Sequence, residues 1–87
     1  MTEPIQKVIA ELRTRKNNTR FRDIEKLLLS FDFEERHSKR GTSHRVFSHP
    51  KLVWNITLVT HGRNDVLPAY QIQDVINALQ ELMEQLS

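Results

Sequence analysis

No cysteine occurs in the 87 residues, which excludes disulfides and thiolate-bound zinc and suits a reducing compartment. No run approaches the roughly 18 apolar residues of a membrane-spanning helix. The opening stretch MTEPIQKVIAELRTRK also lacks the apolar block of a secretory signal. The expectation is a cytoplasmic protein with no membrane association. The glycosylation sequons at Asn17-Asn18-Thr19 and Asn55-Ile56-Thr57 are then chance matches. Glycine is scarce as well, with only Gly41 and Gly62, both in turn-prone surroundings. There is no internal repeat and no low-complexity segment.

What remains is the composition of one ordinary folded domain, 38% apolar and 28% charged, which excludes a disordered chain. A domain of this length buries only roughly 60–65% of its unfolded surface. The core is therefore small, a large internal cavity is excluded, and any site is a shallow surface or a groove.

The formal charge of +2 conceals an asymmetry. All 13 Lys and Arg lie between Lys7 and Arg63, against seven acids in residues 1–63, a net of +6. Residues 64–87 hold four acids and no base, a net of −4. Such a division suggests an anionic ligand on one surface and a separate role for the other, although a solvated surface kept soluble by charge has the same pattern.

Hydrophobic spacing divides the chain into six elements. Residues 2–15 form an amphipathic helix: Thr2 caps it, Pro4 suits its first turn, and Ile5, Val8, Ile9 and Leu12 share a face. The polar TRKNNTR breaks the pattern, so residues 1–18 read as an accessory helix with its linker and residues 19–87 as the main domain. Thr19 is placed to cap a second helix reaching about Ser30, with Phe21, Ile24, Leu27, Leu28 and Phe31 as its stripe. A short edge strand is expected over Phe33–Ser38, a second over Ser43–Ser48 and a third over Leu52–Thr60. The turn His49-Pro50-Lys51 is short enough to make the last two an antiparallel hairpin. A final helix starts near Pro68, with Ile72, Val75, Ile76, Leu79, Leu82, Met83 and Leu86 at three- and four-residue steps. This order predicts an α+β two-layer sandwich with helices on one face of a three-stranded meander and the other face open.

The chemistry concentrates in GTSHRVFSHP, Gly41–Pro50, which holds two of the four histidines and follows Arg36, Lys39 and Arg40. An imidazole in a cationic setting suits proton transfer on an anion. A zinc site from the four histidines is disfavoured, because positions 37, 44, 49 and 61 include neither His-x-His nor His-x₃-His spacing. Alternation along the second strand sets His44 with Val46 and Ser48, opposite Ser43, Arg45 and Phe47. If Phe47 faces the core beside Trp54, His44 faces the open side and Arg45 points towards the helices. His49 is then a turn residue, and His37 and His61 are peripheral. An open sheet face beside a basic turn is also a plausible surface for nucleic acid, with cations on phosphates.

The run Ser43-His44-Arg45-Val46-Phe47-Ser48-His49-Pro50, followed by a strand over Ile56–Val59, the turn His61-Gly62, the pair Leu67-Pro68 and a helix, resembles the HicA family of bacterial toxins. The resemblance covers about Phe21 to Leu82. The sequence departs from the family pattern at Thr42, which separates Gly41 from Ser43, and at Val59-Thr60, where a proline often precedes the His. Residues 1–18 have no counterpart in the minimal family member; they could extend the core, dimerise or alter how a partner docks.

What the resemblance implies is specific. The fold would be double-stranded-RNA-binding-domain-like, an α-β-β-β-α core with an additional N-terminal helix. The activity would be that of an mRNA interferase of a type II toxin–antitoxin module, cutting RNA without metal or other cofactor. The catalytic base would be His44, and the partner besides RNA a HicB-like antitoxin. Proximity in sequence adds Arg40 and Arg45 for the developing negative charge, Lys39 for docking the backbone, and Ser43 for orienting His44 or touching a phosphate. The alternatives are an RNA-binding or a protein-interaction domain of the same fold that does not cut.

Overall fold

The structure is a computed structural model that describes residues 3–37, 44–62 and 64–86. Its elements are α1 (Glu3–Thr14), α2 (Phe21–Ser30), β1 (Glu34–His37), β2 (His44–Ser48), β3 (Ile56–Val59) and α3 (Ala69–Leu86). The strands form one antiparallel sheet in the order β1-β2-β3. The protein is thus α+β, with three helices and a small three-stranded sheet among the described residues. Among the described residues no helix is long and apolar enough to cross a membrane.

The sheet has two chemically different faces because side chains alternate along each strand. The register pairs Glu35 with Phe47, and Phe47 with Ile56; it also pairs Arg45 with Leu58. These residues face the helices, and Phe47, Ile56 and Leu58 are buried. They join Phe21, Ile24 and Leu28 of α2 and Ile72, Val75, Ile76, Leu79 and Leu82 of α3 in one core. Burying each such side chain contributes about 1.5–3 kcal/mol. The Phe21 and Phe47 rings, 6.3 Å between centroids and tilted by 49°, tie α2 to the central strand.

α1 shares this core. Its buried residues Ile5, Ile9 and Leu12 belong to the same cluster, and the helix packs on α3. The Lys16 ammonium donates to the Gln73 side-chain carbonyl and fastens the end of this segment to α3.

α2 does not start as expected. Thr19 is not its cap: the preceding residue is Arg20, in extended conformation (φ −88°, ψ 151°), with no side-chain cap. The Thr19 hydroxyl instead donates to the Arg15 carbonyl at 2.6 Å. The reason is a competing backbone connection. Arg20 pairs with Val66 in an isolated antiparallel bridge, the Phe21 N–H donates to the Asp65 carbonyl at 2.8 Å, and the Leu67 N–H donates to the Thr19 carbonyl at 2.8 Å. One exposed donor of the helix start is satisfied by a loop more than 40 residues away, so a side-chain cap is unnecessary there.

The end of α2 follows the Schellman pattern. Phe33 N–H donates to the Leu28 carbonyl at 3.0 Å and Asp32 N–H to the Leu29 carbonyl at 3.2 Å. Asp32 occupies the left-handed position, φ 71°, where glycine is more usual. This reversal throws Phe33 into the core and starts β1 directly afterwards.

β3 is shorter than its sequence pattern. Residues 52–55 are turn, and only Ile56–Val59 pair with β2. Continuing the register would set Val53 opposite Pro50, which has no N–H to offer a ladder. The chain turns instead, with the Leu52 N–H on the His49 carbonyl at 3.0 Å. Leu52 and Trp54 still reach the core from this loop, Trp54 with its indole N–H donated to the Glu81 carboxylate, while Val53 is 96% exposed.

Candidate functional site

The face of the sheet away from the helices carries Glu34 and Arg36 from β1, His44, Val46 and Ser48 from β2, and Thr57 and Val59 from β3. Glu34, Arg36, His44 and Thr57 are exposed, and the other three are half-buried. No described helix covers them. This is a shallow polar surface with an imidazole at one end, the kind of site a core this small permits.

His44 opens β2 with Val59 as its cross-strand partner. Its ring makes no hydrogen bond or ion pair among the described residues, so both nitrogens are open to a ligand. Arg36 pairs with Val46, one step along the same face, which makes it the diagonal neighbour of His44. Such neighbours lie about 7–8 Å apart, within reach of a long side chain. Arg36 too has no ion pair among the described residues, so its charge is not spent within the fold.

Arg45 faces the other way, as alternation implied. Its guanidinium donates to Glu35 Oε2 at 2.7 Å, stands 3.9 Å from Glu25 Oε2 and lies 5.3 Å above the Phe21 ring centroid. It ties β2 to β1 and α2 on the helix side of the sheet. Lys39, Arg40 and Ser43, with Gly41 and Thr42, lie outside the described residues.

The remaining histidines divide sharply. His49 is fully engaged: its Nδ1 accepts the Lys51 N–H at 3.1 Å, which places the ring proton on Nε2, donated to the Phe31 carbonyl at 3.1 Å. Its ring also meets Phe33 edge-on at 4.9 Å. It is a structural residue of the β2–β3 turn. His61, by contrast, is exposed, and its ring has no hydrogen bond among the described residues.

The loop carrying His61 is heavily braced. The His61 N–H donates to Asp65 Oδ2 at 2.9 Å, and the buried Thr60 hydroxyl closes a small turn with Gly62. Arg22 donates to the Asn64 side-chain oxygen at 3.0 Å. Gln71, only 2% exposed, accepts the Val59 N–H at 3.1 Å through Oε1 and so fixes the end of β3. Sequence reasoning did not single out Gln71, Asp65 or Arg36 for these positions. For Gln71 the available signal was an amide on the apolar side of α3, between Pro68 and Ile72.

Among the described residues no three His, Asp or Glu side chains gather as a metal site. Chemically, the open face brings together an imidazole and a guanidinium that have no partner among the described residues, the latter suited to a phosphate. Comparison with protein-family models, curated proteins and solved structures returns no match for this chain.

Proposed function

We propose that the protein is an RNA-cleaving enzyme of the HicA-like toxin kind, and that residues 19–87 form a double-stranded-RNA-binding-domain-like unit whose open sheet face meets the RNA backbone. The observation that carries this reading is His44: exposed on that face, with no partner for its ring among the described residues, and with Arg36, likewise without an ion pair among them, as its diagonal neighbour. The motif resemblance independently gives the catalytic role to the same residue.

His44 accepts the proton of a ribose 2′-OH, and the 2′-oxygen attacks the adjacent phosphorus, so that the O2′–P bond forms as the P–O5′ bond breaks and the 5′-oxygen leaves. The charge that builds on the phosphate oxygens is met by Arg36, the role the sequence reading gave to Arg40 and Arg45. Arg45 supports the strand from behind. No metal is needed for this chemistry, and the protein works in the cytoplasm. A HicB-like antitoxin restrains it by covering the His44 face.

The test is cleavage of total RNA by the purified protein in EDTA. Wild type degrades the RNA, and His44→Ala lowers the rate by about 10²–10⁴, the usual range for a general base. The variant keeps its fold, because His44 is exposed and bonded to nothing described. Equal rates for the two proteins would refute the reading and leave a domain that binds without cutting.

A further inference from the structure

His44 and His61 stand at the same end of the sheet. His44 is paired directly with Val59, and His61 follows Val59 by two residues. Cross-strand Cα atoms are about 5 Å apart, and two residues of chain add at most about 7 Å. The two Cα atoms therefore lie within about 12 Å of each other. Val59 lies on the open face, and just past the end of β3 Thr60 is buried and His61 exposed, so the His61 ring is accessible to a ligand at this end of the sheet. The loop is held by the Asp65, Thr60 and Gln71 contacts, so His61 is presented from a fixed backbone.

Of the histidines whose side chains are described, His49 has both nitrogens engaged, and only His44 and His61 have rings free to act. Cutting RNA through the 2′-oxygen requires two proton transfers, one from the attacking 2′-OH and one to the departing 5′-oxygen. His44 as the base accounts for the first only.

We propose that His61 is a second catalytic residue, the general acid that protonates the leaving 5′-oxygen. This rests on His44 being the base. In the step, the O2′–P bond forms and the P–O5′ bond breaks. His44 takes the 2′ proton, and His61 in its imidazolium form gives one to O5′. The products are a 2′,3′-cyclic phosphate and a free 5′-OH. Exchange of one proton each with water restores both rings, and nothing is oxidised or reduced. The substrate class follows: RNA, but not DNA, since the nucleophile is the 2′-OH.

The experiment uses an RNA oligonucleotide with sulfur in place of the bridging 5′-oxygen at the bond that wild type cuts in the all-oxygen version. A thiolate leaves without being protonated, so the sulfur substrate bypasses the general acid alone. His61→Ala should cut all-oxygen RNA about 10²–10⁴-fold more slowly than wild type and cut the sulfur substrate within a few-fold of it. His44→Ala should fail on both. His61→Gln, which keeps a polar side chain of similar reach, should behave like His61→Ala. Undiminished cleavage of all-oxygen RNA by His61→Ala would overturn the proposal while leaving His44 as base. Equal loss on both substrates would overturn it too, by making His61 structural or a binding group. Failure of wild type to cut any RNA would refute the endoribonuclease reading itself.

Discussion

Arg45→Met should cost the protein about 3 kcal/mol of folding stability. The guanidinium sits 2.7 Å from one carboxylate, 3.9 Å from a second and 5.3 Å from an aromatic centroid; its side chain is 25% exposed and those of Glu35 and Glu25 only 9% and 12%. Removing one partner of a buried pair typically costs 3–5 kcal/mol, because the other charge stays behind in a poor solvent. The cation–π contact adds about 0.5–1 kcal/mol. Water at the quarter-exposed arginine screens part of this, which brings the expectation to the low end. Methionine retains the aliphatic stem's packing, so the loss reports the charge. Urea titration would show the midpoint falling at constant slope, and the melting temperature should drop by roughly 15 °C for a domain of this size. Adding Glu35→Gln removes much of the stranded charge and should recover about half the loss. A cost below about 1 kcal/mol would place the network among ordinary screened surface pairs and refute the argument. The double variant also tests orientation. Its RNA affinity should equal wild type at every salt concentration, whereas a salt slope shallower by about one contact would make Arg45 a phosphate ligand.

The same geometry fixes several smaller effects. Asp32→Gly removes the steric cost of the left-handed position at φ 71° and should stabilise by about 0.5–1 kcal/mol in the same titration. Gln71→Leu leaves the Val59 N–H without its acceptor and should destabilise by about 1–2 kcal/mol. Because Val59 pairs with His44 and leads to His61, RNA cleavage by this variant should fall even at temperatures where it is fully folded. Arg36→Gln should weaken RNA binding and lower the slope of log affinity against log salt by about one, with no change in melting temperature, since Arg36 is exposed and forms no ion pair among the described residues.

How much of this could be read from the chain depends on how local the cause is. The element order and the helix stripes follow from spacing within one or two turns: most of the residues that the spacing marked are buried, while Val8, Leu27, Phe31 and Met83 pack half-buried at the edge of the core and Leu86 is exposed. The face of His44 was also legible, because alternation relative to the core residue Phe47 is a property of five consecutive residues. β3 was read too long because Leu52 and Trp54 imitate strand alternation while reaching the core from a turn; only the register, with Pro50 opposite Val53, shows that pairing stops. Thr19 was misread as a cap for a related reason. The donors it would have served face a loop that arrives after the whole sheet has been built. Gln71 and Arg36 acquire their importance from Val59 and His44, neither of which is a near neighbour in sequence, and Asp65 from the backbone of His61 in a loop that follows no periodic pattern.

The structure also changes what the charge asymmetry means. A net of +6 over residues 1–63 suggests one strongly basic surface, yet the described cations are dispersed. Lys7, Arg13, Arg22 and Lys26 lie on α1 and α2, in the helical layer behind the sheet, and Arg45 is turned into that layer. Lys16 and Arg22 bind Gln73 and Asn64 and so brace the fold. At physiological ionic strength charges are screened over about 8 Å, comparable to the 8–10 Å that separates packed helix axes. Cations behind the sheet therefore contribute little to the potential at the open face. On the proposed function, the total charge would draw polyanions to the molecule as a whole, but only side chains on the His44 face would stabilise a phosphate while it reacts. Affinity and cleavage should for that reason respond differently to charge: neutralising Lys7 and Arg13 weakens association at low salt and leaves the rate on bound RNA unchanged, whereas neutralising Arg36 lowers both.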